Sequence, residues 1–115
     1  MARQGTTPII TLNVPKEFDY CNVVVTVDQD GTQVTKESRK SDDIEITKHY
    51  DEDGNFDYSA VAMYLTQAET LGFEVGIARV QVRWVDFSGN AFATNIGQFK
   101  IGESLLDDVI AYNTN

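Results

Sequence analysis

The sequence holds one cysteine, one histidine and two prolines in 115 residues. Cys21 alone cannot form an internal disulfide, and a single thiol excludes a Cys-based zinc site. One histidine, His49, excludes a His-rich metal centre. Base is also scarce: Lys plus Arg is 9 against 18 Asp plus Glu, a formal charge of −9. Such a surface repels phosphate, so direct binding to nucleic acid or to an anionic membrane is not expected. No apolar run approaches the ~20 residues of a membrane-spanning helix. Residues 1–8 lack the apolar stretch of a signal peptide. There is no phosphate loop, no Gly-x-Ser-x-Gly and no His-Glu-x-x-His. Cys21 would need a His partner to act as a nucleophile, and His49 sits in an acidic hairpin. These absences predict no catalytic residues, no cofactor and no resident metal.

What the chain does have is alternation. Ala78, Val80, Val82 and Trp84 alternate with Arg79, Gln81 and Arg83, giving one core face and one solvent face to a strand over residues 76–87. That strand is predicted to be central, with Trp84 as the main core aromatic. Val23, Val25 and Val27 mark a second strand, and Asp30-Gly31 is a strong hairpin turn leading into a polar edge strand over 32–37. Ile10, Leu12 and Val14 mark another, ended by Pro15, and Ile44 with Ile46 a further one. Val61, Met63 and Leu65 share a face of a longer strand over 56–65. Thr66-Gln-Ala-Glu69 has capping-box spacing and Gly72 a stop, which predicts one helical turn over 67–71. Phe92, Thr94 and Ile96 are read as inward, with Gly97 interrupting the phase before Phe99 and Ile101.

About seven strands and one short helical turn predict an all-β, immunoglobulin-like antiparallel β-sandwich. A small, partly open β-barrel is the alternative. Residues 1–7 read as a flexible arm, 8–104 as the sandwich and 105–115 as a C-terminal contact arm.

Asp51, Asp53, Asn55 and Asp57 recur at every second residue, as oxygen ligands do in a calcium loop. The match then fails, since Phe56 stands where such a loop needs glycine and Ala62 where it needs a bidentate acid. A solvated hairpin is expected there, with at most a weak Ca²⁺ site. Leu105, Leu106, Val109, Ile110 and Tyr112 form an apolar C-terminal segment, expected to meet a neighbouring chain. Arg79 and Arg83, on one outward face, are candidate interface residues.

Four stretches carry a family resemblance. They are Leu65-Thr-Gln-Ala-Glu-Thr-Leu-Gly-Phe73, Gly76-x-x-x-Val-Gln-Val-Arg-Trp84, Asp86-x-Ser-Gly-Asn-Ala-x-Ala-Thr94 and Ile101-Gly-x-x-Leu-x-Asp-x-Val-Ile110. This succession resembles short structural proteins of tailed phages and prophages, and is similar to the immunoglobulin-like N-terminal domain of phage upper-baseplate proteins. The resemblance implies a non-enzymatic virion component of head, neck, tail or baseplate. Its expected partners are other virion proteins and copies of itself, and its expected place is the virion, after assembly in the host cytoplasm. The alternative is a carbohydrate- or receptor-binding module of a phage fibre or cell-surface protein, using Tyr50, Phe56 and Tyr58.

Overall fold

A computed structural model of the chain describes residues 2–104 and 109–110. The elements in order are β1 (Ala2–Arg3), β2 (Ile9–Val14), β3 (Asn22–Gln29), β4 (Thr32–Glu37), β5 (Ile44–Tyr50), β6 (Phe56–Tyr64), α1 (Gln67–Leu71), β7 (Gly76–Val85), β8 (Ala91–Ala93) and β9 (Gly97–Gly102). They form two sheets. The larger runs β1-β9-β7-β3-β4, with β8 also on β7, and the smaller runs β2-β6-β5. Reading β2 to β7 as strands B, C, C′, D, E and F, and β9 as G, gives the immunoglobulin order, B-E-D facing G-F-C-C′.

The core lies between the sheets and follows from strand periodicity. Val23, Val25 and Val27 of β3 stand opposite Trp84, Val82 and Val80 of β7, and all six are buried. Across the gap, Leu12, Val61 and Ile46 form one row of the smaller sheet, and Ile10, Met63 and Ile44 the next. β7 is central, paired with β3, β8 and β9. The polar β4 is an edge, and Asp30-Gly31 turns with both residues left-handed, φ 49° and 95°, as a tight hairpin requires.

α1 spans the predicted residues, and its capping box is complete. The Thr66 hydroxyl accepts from the Glu69 N–H at 3.1 Å, and the Glu69 carboxylate accepts from the Thr66 N–H at 2.8 Å. Gly72 ends the turn in right-handed geometry, φ −72°, so it stops the helix without using glycine's left-handed freedom.

Lys36 joins the two sheets at the β4 edge. It pairs in register with Val25, so its stem points inward and its side chain is only 9% exposed. Its ammonium donates to Asp43 at 2.8 Å, to Glu69 at 2.9 Å and to the Tyr64 carbonyl at 2.8 Å.

Three expectations are corrected. Residues 2–3 are not part of a flexible arm. Ala2 is buried, and β1 pairs parallel with Ile101 and Gly102 of β9. Gln4 extends this clasp, its N–H donating to Gly102 and its amide to Phe73. Close approach explains Gly102, where a Cβ would stand 3.2 Å from Cγ of Arg3. Phe92 and Ile96 are exposed, not core. The register of β8 on β7 (Arg83 with Ala93) differs by one residue from that of β9 (Val80 with Gly97). The extra residue is absorbed at 94–96, before Gly97, and turns Ile96 to the outer face. Phe92 does lie on the core side, stacked on Trp84 at 5.8 Å, but the smaller sheet is too narrow to cover it.

Deleting residues 2–7 is expected to cost about 1–3 kcal/mol, from one buried alanine and several hydrogen bonds. Urea unfolding checks this, and a midpoint equal to the parent's would return these residues to a free arm.

Candidate functional site

Antiparallel register decides what gathers at each end of the sandwich. β3 starts and β7 finishes at the pair Asn22–Val85. In the smaller sheet β2 finishes at Val14, opposite Ser59, with Lys48 on the other side of Ser59. Residues 15–21 cross between the sheets at this end. They are tied to the smaller sheet by the Ser59 hydroxyl, which donates to the Lys16 carbonyl at 2.6 Å, and by Lys48, which donates to Asp19 at 2.8 Å. Phe18 turns inward, edge-on to Trp84 at 5.1 Å. The β5–β6 and β7–β8 hairpin tips project from the same end.

Both tips are closed in the same way. Oδ1 of Asp51 accepts from the N–H groups of Asp53 and Asn55, each at 2.9 Å. Oδ1 of Asp86 accepts from Ser88 at 3.0 Å and Asn90 at 2.9 Å. In each turn the glycine takes positive φ, 81° at Gly54 and 87° at Gly89, and donates to the carbonyl of the leading aspartate. The carboxylate substitutes for a backbone acceptor and fixes the turn, which is what Asp does in tight loops. The backbone N–H of Asn90 is the main cause that holds Asp86 below the usual carboxylate range.

These ordered loops present large apolar side chains to solvent. Phe87 is 85% exposed and Tyr20 77%, and they lie two residues beyond Val85 and Asn22 on adjacent strands. Tyr50, two residues past Lys48, is 57% exposed and meets Phe56 edge-on at 6.4 Å. Leaving a Phe-sized side chain in water forgoes roughly 1.5–3 kcal/mol of burial. Tyr20 also holds φ at 61°, a left-handed conformation that a bulky side chain adopts at a cost.

Charge at this end is mainly acidic. The three loops carry Glu17, Asp19, Asp51, Glu52, Asp53 and Asp86 against Lys16 alone. Lys48 is engaged by Asp19 at 2.8 Å and Glu17 at 3.7 Å, and the bond to Asp19 raises its pKa.

The predicted site residues are dispersed. Asp51, Asp53 and Asn55 sit in one tip, but Asp51 turns its oxygen onto backbone N–H groups, and Asp57 lies on β6. Among the described residues no group of three or more His, Cys, Asp or Glu could hold a metal ion. Arg79 and Arg83 lie on the outer face of β7. Arg79 pairs with Asp28 at 2.8 Å and so holds that carboxyl low. Val109 and Ile110 lie beside α1, away from that face, with exposed side chains. The Ile110 N–H donates to Oε1 of the Gln67 side chain at 2.8 Å, and Nε2 of Gln67 donates to the Ile110 carbonyl at 3.0 Å. Leu105, Leu106 and Tyr112 lie outside the described residues. Tyr58, a candidate sugar platform, is stacked on His49 at 4.6 Å.

Tyr20 and Phe87 were not legible as surface residues. Phe87 reads as the end of the long strand. The signal that relocates it is a repeated Asp-x-x-Gly-Asn, at 51–55 and 86–90, which makes Phe87 the residue after the turn-closing aspartate.

No family model, curated protein or solved structure matches the chain. Among the described residues no helix is long and apolar enough to cross a membrane.

Proposed function

We propose that the chain is a non-enzymatic structural or assembly protein of a tailed-phage or prophage virion, acting through protein–protein contacts. The observation that carries the contact role is the exposure of Phe87 and Tyr20 at one end of the sandwich, on loops fixed by their own hydrogen bonds. A surface that holds aromatic side chains in water on ordered loops is prepared for a partner, since little ordering entropy is lost on binding. The charged side chains, by contrast, are largely engaged in building the fold. Lys36 joins the sheets, Lys48 pins the crossing loop, Asp86 and Asp51 close turns, and Arg79 answers Asp28. The virion setting rests on the four-stretch sequence resemblance, as do self-association and the host cytoplasm as the site of assembly.

The test is mass spectrometry of purified particles from the phage or prophage that encodes the chain. The expected result is the chain in fixed stoichiometry with a known structural protein. Recovery only from the soluble lysate, never with particles, would overturn the reading.

A further inference from the structure

We infer that the end of the sandwich formed by residues 15–21, 51–55 and 86–90 is a docking surface for a cationic protein face, with Phe87 and Tyr20 as its apolar anchors. The inference rests on the contact role proposed above and adds the surface and the chemistry of its partner. Single exposed hydrophobic side chains are ordinary on any protein. Here they share one end of the sandwich, because Phe87 lies two residues after Val85 and Tyr20 two residues before Asn22, the last pair of β7 and β3. Tyr50 occupies the corresponding end of the smaller sheet.

The loops are set before any partner arrives. Asp51 and Asp86 close the hairpin tips, and Lys16, Asp19 and Phe18 fix the crossing loop to both sheets. Tyr20 holds a left-handed backbone while its ring stays in solvent, so the fold accepts a conformational cost there without burying that ring.

Charge selects the occupant. Six acids stand against Lys16 in the three loops and Lys48 beside them, a net excess of acid. A second copy would bring the same acids and the same net charge of −9 face to face, and a phosphate-bearing surface would be repelled likewise. A face bearing Arg or Lys is attracted, and the two chemistries of the end suit it together. Guanidinium groups stack on aromatic rings and also take carboxylates in bidentate hydrogen bonds. Glu52 and Asp53, exposed at the β5–β6 tip, would form the charged rim, and Phe87 with Tyr20 the desolvated centre.

The test uses the isotope-labelled full chain and three probes: an octapeptide alternating Ser and Arg, its Ser-Glu counterpart, and a neutral oligosaccharide, chitotetraose. The Ser-Arg peptide is expected to shift amide resonances in 15–21, 50–57 and 85–90, and to leave the Asp28–Gln33 region unmoved. The double variant Tyr20→Asn, Phe87→Ser keeps the net charge and changes only exposed side chains. It should melt within a few degrees of the parent, yet weaken the Ser-Arg peptide about tenfold. Equal binding to parent and double variant would reduce the end to plain charge attraction and overturn the inference. So would shifts spread over every acidic face, no response to the cationic probe, or selection of the end by chitotetraose alone. A chain that is present in particles but fails the peptide test sinks this inference and leaves the virion reading intact. A chain that passes the peptide test but is missing from particles does the reverse.

Discussion

Trp84→Ala is expected to destabilise the fold by roughly 3–5 kcal/mol, as truncation of a large core side chain does. Trp84 sits on the central strand β7 and is 9% exposed. It stands opposite Val23 on β3 and Phe92 on β8, with Phe18 edge-on to its ring. Removing the indole therefore strips contacts from both neighbouring strands and from the loop that crosses between the sheets. Relief by collapse is limited. Beside Trp84 the sandwich already opens into a groove of about 490 Å³ between Leu12–Lys16 and Thr94–Asn95, so a cavity there would join a wet cleft. The measurement is urea unfolding, with Trp84→Phe as companion. Nε1 of Trp84 is buried with no hydrogen-bond partner among the described residues, so the Phe variant loses ring area but no bond. It should cost under about 1.5–2 kcal/mol. An alanine variant that melts within a degree or two of the parent would place Trp84 outside the core and break the assignment of β7.

Lys36→Met is the second large effect, expected at about 1–3 kcal/mol near neutral pH. Methionine fills the buried stem but takes the ammonium donor from the Tyr64 carbonyl and from Glu69, which keeps only the Thr66 N–H. Asp43 is about half exposed and can turn to water, which keeps the figure below that of a fully buried pair. The pH dependence carries the signature. Burial pulls the Lys36 pKa down, but hydrogen bonds to Asp43 and Glu69 outweigh it and raise the value above its ordinary 10.5. Burial pushes Glu69 up, but Lys36 and the Thr66 N–H outweigh it and lower the value below 4.5. The lowered carboxylate contributes stability above its unfolded pKa, and loses it as pH falls through the folded one. The raised ammonium contributes below 10.5, and loses it as pH rises through its folded pKa. The stability gap between parent and variant should thus be flat across the middle of the range and shrink at both extremes. A gap that stays constant into acid would show that Lys36 acts by packing alone.

The elements that could be read from the sequence are those whose signal is local. The alternation of 78–84, the Asp30-Gly31 turn and the Thr66–Glu69 box each specify structure within a few residues, and each is where it was expected. β1 had no such signal. Two residues cannot display a period, and the pairing of Ala2 with Ile101 is decided wholly by tertiary closure. Ile96 failed because a one-residue slip reverses every later side chain. Phe92 failed for a different reason: its phase was right, but its burial depends on the width of the opposite sheet. The acidic tip at 51–55 was legible as a solvated loop. Its place at the same end as Tyr20 and Phe87 was not, because that is set by the register of β3 on β7 and by the Lys48–Asp19 bond.

The parallel clasp of β1 on β9 also constrains the order of events during synthesis. Ala2 is made 99 residues before its partner Ile101. At translation speeds of 5–20 residues per second, that is a wait of about 5–20 s. Through that interval β2, β5 and β6 can pair, and so can β3 with β4, while the position beside β9 does not yet exist. The N-terminal strand therefore cannot pair on β9 until the chain has grown past Ile101. The larger sheet thus gains this edge only once residues through Gly102 are present.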